Sequence, residues 1–185
     1  TPKAFYYSLQ DLYADILISV QEKNENYTIY LVNDKFTDIH GDLNIVVKDF
    51  YGKKLFTKKL QVILPSNSSK VYLEIPKNEL AKFDSASTYM LCELEGDYKA
   101  RKLFYFTSEK HLKLPEPELV LSVISPGQLK ITSSSLVKDL FLEEGPTKFE
   151  PNYFDLEPGK EVIITAPNCS DAKKVKTLFL NPTNK

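Results

Sequence analysis

Alternation of apolar and polar residues with a period of two governs most of this chain. Leu12, Ala14, Ile16, Ile18 and Val20 alternate with Tyr13, Asp15, Leu17, Ser19 and Gln21. Successive side chains of a strand point to opposite faces, so this pattern describes a sheet with one buried face. Tyr27, Ile29 and Leu31 repeat it around Thr28 and Tyr30, and Leu43, Ile45 and Val47 repeat it again. Asp49-Phe-Tyr-Gly-Lys53 then supplies a hairpin turn, with Gly52 free to take a positive φ. Leu55, Phe56, Leu60, Val62 and Leu64 mark the return strand, which Pro65-Ser-Asn-Ser-Ser69 ends. Val71, Leu73 and Ile75 begin another strand, followed by a longer connection over residues 76–87. The last two strands fall at 88–95 and 99–107, around a tight Gly96-Asp97 turn. Seven strands in about 110 residues, with no helical pattern of 10–15 residues between them, predict an immunoglobulin-like β-sandwich.

Asp84 and Tyr89 precede Cys92 where such sandwiches place a corner tyrosine. The Tyr-to-Cys spacing is three, not two, so Tyr89 and Cys92 should face opposite ways. Lacking a partner cysteine in the same unit, the chain does not read as an antibody-type domain.

Leu103-Phe-Tyr-Phe-Thr-Ser-Glu-Lys-His-Leu-Lys-Leu-Pro-Glu-Pro-Glu-Leu119 reads as a seam between two units. Pro115 and Pro117 fix φ and lack amide donors, which stiffens it. Beyond it, strands are expected at 119–124, 128–132, 136–142, 153–156, 160–165 and 175–180. Pro126-Gly127, Glu144-Gly-Pro146, Glu157-Pro-Gly159 and Ala166-Pro-Asn168 punctuate them. The expected organisation is all-β: two tandem immunoglobulin-like β-sandwich domains, at 1–113 and 114–185. The second is small enough to be marginal alone. Adjacent aromatics cannot all face one core, so Phe104, Tyr105 and Phe106, with Leu112 and Leu114, are expected at an interdomain contact. Tyr6-Tyr7 is read the same way.

Composition narrows the function classes. A net charge of −1 gives no electrostatic case for nucleic acid or an anionic membrane surface. No apolar run approaches the roughly 18–20 residues that span a bilayer. The start at Thr1, with neither an initiator Met nor a signal peptide, reads as a processed chain or an excised segment, and the polar end 181–185 as frayed. Cys92 and Cys169 stand on opposite sides of the seam and read as a reduced buried thiol and a loop thiol. Two cysteines and two histidines leave little material for a zinc site.

No catalytic constellation emerges, and no cofactor, metal or catalytic residue is assigned. Glycoside hydrolysis needs two carboxylates about 5–9.5 Å apart in one pocket, whereas the acids here alternate along strands or sit in turns. Asn24-Glu25 and Asn78-Glu79 match a dipeptide of sugar-cleaving barrels but fall in expected loops. His40 and His111 read as surface residues, with no Gly-x-Ser-x-Gly elbow to join. Asp34, Asp38 and Asp42 lack the spacing of a calcium loop and read as turn-forming acids. Lys53, Lys54, Lys58 and Lys59 read as charges that protect an edge strand, rather than as a polyanion patch. Asn26-Tyr-Thr, Asn67-Ser-Ser and Asn168-Cys-Ser are glycosylation acceptor patterns, at close to chance frequency. Eleven Tyr and eleven Phe raise the question of sugar stacking, without the Trp that serves it best.

Four segments resemble the C-terminal region of β-mannosidases of glycoside hydrolase family 2. Pro2-Lys-Ala-Phe-Tyr-Tyr7 with Leu12-Tyr-Ala14 is similar to the exit from the catalytic barrel. Tyr30-Leu-Val-Asn-Asp34, Gly41-Asp-Leu43 and Asp49-Phe-Tyr-Gly52 resemble the sandwich that follows. Phe106-Thr107 to Leu114-Pro-Glu-Pro117 resembles the join to the terminal domain. Asn152-Tyr-Phe-Asp-Leu-Glu-Pro-Gly-Lys-Glu161 resembles a Phe-Asp-Leu-x-Pro-Gly-Glu segment of that domain. Departures are Ala14-Asp15 in place of Ala-Pro, and Tyr153 and Lys160 in place of Phe and Glu.

The resemblance implies a parent enzyme that releases terminal β-linked mannose with retention, using two glutamates in a barrel preceding Thr1. On that reading this segment is inactive alone and supports the catalytic barrel as its partner, with a mannose-containing oligosaccharide as a further partner. The parent's compartment is left open among periplasmic, secreted and lysosomal. Two other classes compete: a carbohydrate-binding module acting through exposed aromatics, and an adhesion-type sandwich that binds another protein.

Overall fold

A computed structural model describes residues 14–180. They divide into two compact units. One takes residues 14–49 and 54–111. The other takes 50–53 and 112–180, so Phe50–Lys53 groups with the C-terminal strands.

The N-terminal unit is a sandwich of two antiparallel sheets. β1 (Ile16–Lys23), β2 (Asn26–Asn33) and β5 (Ser68–Pro76) form one, in the order β1-β2-β5. β3 (Ile39–Asp49), β4 (Lys54–Leu64), β6 (Thr88–Gly96) and β7 (Ala100–Tyr105) form the other, in the order β4-β3-β6-β7. The immunoglobulin-like all-β expectation is borne out here. The period-two residues are those that close the core: Ile16, Ile18, Ile29, Leu31, Leu43, Ile45, Val47, Leu73, Ile75, Met90, Cys92 and Leu94 are all buried in one cluster. Fully burying one such side chain is worth roughly 1.5–3 kcal/mol. β1 and β2 meet at a two-residue turn in which Asn24 and Glu25 take φ of 49° and 59°, the left-handed pair that matches strand twist.

Several readings change in detail. Expected strand residues 12 and 13, and Tyr6-Tyr7, lie outside the described residues. Asn78-Glu79 is not in a loop: it sits in α1 (Lys77–Leu80), a single turn inside the 76–87 connection. Asp42 is not a turn acid. It stands within β3 and pairs with Lys59 on β4 at 2.8 Å, because Lys59, opposite Asn44, lies diagonally across the strand pair on the same face. His40 likewise opens β3, where its amide donates to Asp97 Oδ2 at 2.9 Å. β3 and β6 run close there: Gly41 faces Gly96, and a Cβ on Gly41 would lie 2.7 Å from the Glu95 carbonyl oxygen. β4 is an edge strand and carries Lys54, Lys58 and Lys59, with Lys53 just before it, as edge protection requires. At the corner before β6 the Thr88 Oγ1 donates to the Asp84 carbonyl at 2.8 Å.

Cys92 faces the core and Tyr89 the opposite side of the sheet, both fully buried. Both cysteines are free thiols. Burial, and then the Glu93 carboxylate, push the Cys92 thiol up to about 12. An unfolded thiol ionises near about 8.5, so between these values the unfolded chain has lost a proton that the folded chain keeps. This contribution to stability is therefore complete below the unfolded value and is lost as pH rises toward 12. We expect Cys92 to resist an alkylating reagent at pH 8 until the chain is unfolded by urea, as read by mass spectrometry of its peptide. Alkylation at the same rate with and without urea would contradict this placement.

The C-terminal unit carries six described strands in two sheets. β8 (Leu119–Ser125), β9 (Gln128–Ser133) and β12 (Val162–Thr165) take the order β12-β9-β8. β10 (Val137–Glu143), β11 (Phe154–Leu156) and β13 (Lys176–Leu178) take the order β11-β10-β13. Leu129, Ile131, Val137, Leu140, Leu142, Phe149, Leu156 and Ile164 fill its core, and the loop residue Cys169 is buried with them. β10 bulges between Val137 and Leu140, with Asp139 at φ 55°. The Asp139 amide donates to Asp155 Oδ1 at 2.9 Å, and its carboxylate meets Lys138 Nζ at 2.7 Å.

Candidate functional site

The best-formed hollow of the N-terminal unit is a cleft of about 170 Å³ at one end of the sandwich. The alternation of β2 aims Tyr27 toward the core, and β7 with the residue after it delivers Phe104 and Phe106. These three rings pack edge to face: Tyr27–Phe104 at 5.8 Å, Tyr27–Phe106 at 5.1 Å and Phe104–Phe106 at 5.7 Å between centroids. Such a triangle gains quadrupole attraction beyond its buried area. Lys77, Leu80 and Ala81 of α1 and its end, with Phe83, Ser85 and Thr88, complete the walls around Tyr27 and Phe106.

Charge enters the cleft through Lys77. Its ammonium meets Glu22 Oε2 at 2.8 Å and lies 5.9 Å from the centre of the Tyr27 ring. The bond to Glu22 raises the Lys77 pKa, so it stays a cation throughout the physiological range. Burial, then Glu22, raise the Tyr27 phenol, and Lys77 offsets part of that. The cleft thus offers ring faces and an ion-paired ammonium. It can hold the apolar face of one small ring. Its lining residues include no carboxylate, histidine or cysteine.

A second, more open hollow of about 400 Å³ lies in the C-terminal unit. Val123, Ile124, Pro126 and Gly127 at the β8–β9 turn face Pro167, Asn168, Cys169 and Ser170 across it. Burial, then a hydrogen bond to Glu144, raise the Cys169 thiol, which keeps it a weak nucleophile.

The seam residues are placed as follows. Phe104 and Phe106 pack against the N-terminal core with Tyr27. Tyr105 takes the opposite face of β7, its ring 6.5 Å from that of Tyr89. Strand alternation thus divides the three rings between two faces. Leu112 and Leu114 are both buried, at 3% and 6% exposure, outside the two main core clusters. His40 and His111 are exposed, at the start of β3 and in the 3₁₀ turn Glu109–His111. Asp34 and Asp38 stay in the β2–β3 loop, where Asp38 accepts the Ser66 amide at 2.8 Å. Among the described residues no group of three His, Cys, Asp or Glu is placed to hold a metal ion. No described helix is long and apolar enough to cross a membrane.

Three residues of consequence escaped the sequence reading. Asn33 and Asn152 are buried and bonded to main chain at several points. Phe36, in the β2–β3 loop, is 93% exposed. A single aromatic inside the polar run Asp34-Lys-Phe-Thr-Asp38 was the available signal for the last.

The fold defines a class: an all-β chain of immunoglobulin-like sandwiches. Residues 25–111 match the family described as Mannosidase Ig/CBM-like domain. The resemblance to accessory domains of family 2 glycoside hydrolases is borne out. No curated protein sequence matches the chain. Among solved structures, a β-D-mannosidase from Dictyoglomus thermophilum superposes with a TM-score of 0.80 at 23% identity, over 97% of this chain and 23% of that one. The Amycolatopsis orientalis exo-chitosanase CsxA does so with a TM-score of 0.62 at 12% identity, over 95% of this chain and 26% of that one. The chain thus spans about a quarter of the length of each enzyme.

Proposed function

We propose that this chain is a non-catalytic accessory region of a β-mannosidase, supporting a catalytic barrel that cleaves terminal β-D-mannose with retention. The match of residues 25–111 to the Mannosidase Ig/CBM-like domain carries this reading. The fold shared with a β-D-mannosidase over 97% of the chain supports it. This reading keeps two sandwich units, divided close to the expected boundary at 113/114, with Phe50–Lys53 grouped with the C-terminal one. The test compares the parent enzyme with and without these 185 residues. Deletion is expected to shorten the half-life of activity at elevated temperature severalfold, with KM for an aryl β-mannoside little changed. An unchanged half-life would contradict a supporting role.

The Tyr27–Phe106 cleft favours a second reading, a module that binds a mannose-containing oligosaccharide. Its volume suits one sugar ring, and aromatic faces pack against pyranose C–H groups. Calorimetric titration with manno-oligosaccharides separates the two. The supporting role expects no heat above dilution, and saturable heat abolished by Tyr27→Ala would establish the module.

A further inference from the structure

The β2–β3 loop holds a feature that neither cleft uses. Phe36 is 93% exposed, yet the chain on both sides of it is fixed. The Lys35 amide donates to Asn33 Oδ1 at 3.0 Å, and the Lys35 carbonyl accepts from the Asn67 amide at 2.9 Å. The Thr37 carbonyl accepts from Asn33 Nδ2 at 3.0 Å. Lys35 Nζ bonds Asp15 at 2.9 Å and lies 5.1 Å from the centre of the Tyr98 ring. Four chain segments thus converge to present one phenyl ring to solvent. A side chain fixed in this way has little loop entropy left to lose on burial, which is what preorganised recognition needs.

The chemistry around the ring chooses between partners. A sugar stacked on an aromatic also requires free donors and acceptors for its hydroxyls. Here Lys35 is bonded to Asp15, Asp38 to the Ser66 amide, and the Asn33 amide to three carbonyls. Several polar groups of the loop are therefore already engaged, which leaves fewer of them for a sugar's hydroxyls. An exposed aromatic on a rigid support, with a polar surround, is the profile of an anchor at a protein interface. The enzymes sharing this fold extend over about four times its length, so a large neighbouring surface exists in each of them.

We infer that Phe36 is the anchor by which the N-terminal sandwich docks on the catalytic domain of its parent enzyme, inserting into an apolar hollow there. The inference rests on the accessory reading proposed above. The test makes the 185-residue chain and the remainder of the parent enzyme as separate polypeptides and titrates one with the other. Phe36→Ala is expected to weaken the complex roughly 30-fold or more, with its Tm unchanged because the ring is exposed. Val120→Ala, exposed in the C-terminal unit, is expected to bind as the unaltered chain does. Unchanged affinity of Phe36→Ala would overturn the inference and leave the accessory reading standing. Failure of the unaltered chain to bind would overturn both. Self-association, or mannan binding, that disappears in Phe36→Ala would assign the ring to another partner and overturn the inference as well.

Discussion

Replacing Asn33 with Ala is expected to cost the N-terminal sandwich roughly 2–4 kcal/mol. Asn33 ends β2 with no exposed surface. Its Nδ2 donates to the carbonyls of Thr37 and Leu64, each at 3.0 Å, and of Pro65 at 3.1 Å. Its Oδ1 accepts the Lys35 amide at 3.0 Å. One side chain thus ties the β2–β3 loop to the end of β4 and the turn after it. Alanine removes four bonds and leaves main-chain groups in a buried setting without their partner. For a unit of this size each kcal/mol moves Tm by about 4–8 °C, so a fall on the order of 10–20 °C is expected by calorimetry. Asn33→Asp keeps the acceptor, loses the donors and sets a carboxylate against three carbonyls, so it should be at least as damaging. A Tm within about 2 °C of the unaltered chain for either variant would show that the network contributes little.

Asn152→Ala should have an effect of similar size on a smaller unit. Asn152 Oδ1 accepts the Leu142 amide at 2.8 Å, and its Nδ2 donates to the Leu142 carbonyl at 3.0 Å. The side-chain amide therefore acts as one rung of a ladder, standing in for a strand beside β10. The same Oδ1 also accepts the Tyr153 amide at 3.0 Å, where the chain takes φ of 57°. Alanine leaves the buried amide and carbonyl of Leu142 unpaired, again roughly 2–4 kcal/mol. A domain of some 70 residues has little reserve. Hydrogen exchange should show protection lost over 119–180 while 16–105 stays protected. Equal protection in both regions would contradict the ladder role.

These two asparagines mark where the sequence stopped being legible. The strands were readable because burial on one face imposes a period of two, and each expected strand has its counterpart from β1 to β13. Asn33 could be read only as the opening of a loop, and Asn152 only as the first residue of a family-like segment. Nothing local marks a side chain that bonds main chain ten or thirty-one residues away. The same limit explains Asp42, whose partner Lys59 is set by strand register. It explains α1 too, since one turn is too short to show a helical period. Phe104, Tyr105 and Phe106 were rightly read as too many rings for one face. Which ring faced which way followed from the register of β7 on β6, where Tyr105 lies opposite Tyr89 and Phe104 opposite Met90.

The candidate cleft shows the other limit. Tyr27, Lys77, Phe83 and Phe106 meet only because α1 and the β6 corner fold back beside the end of β7. Their separation along the chain hides them from any motif. What they form is a cleft with aromatic walls and an ion-paired lysine, without a pair of carboxylates among its lining residues.

On the accessory reading, this chain supports catalysis performed elsewhere. The decisive measurement is release of the chromophore from an aryl β-mannoside by the purified 185 residues. The predicted result is a rate equal to buffer alone at every pH tried. Saturable release that scales with the concentration of the chain, and survives further purification, would contradict it.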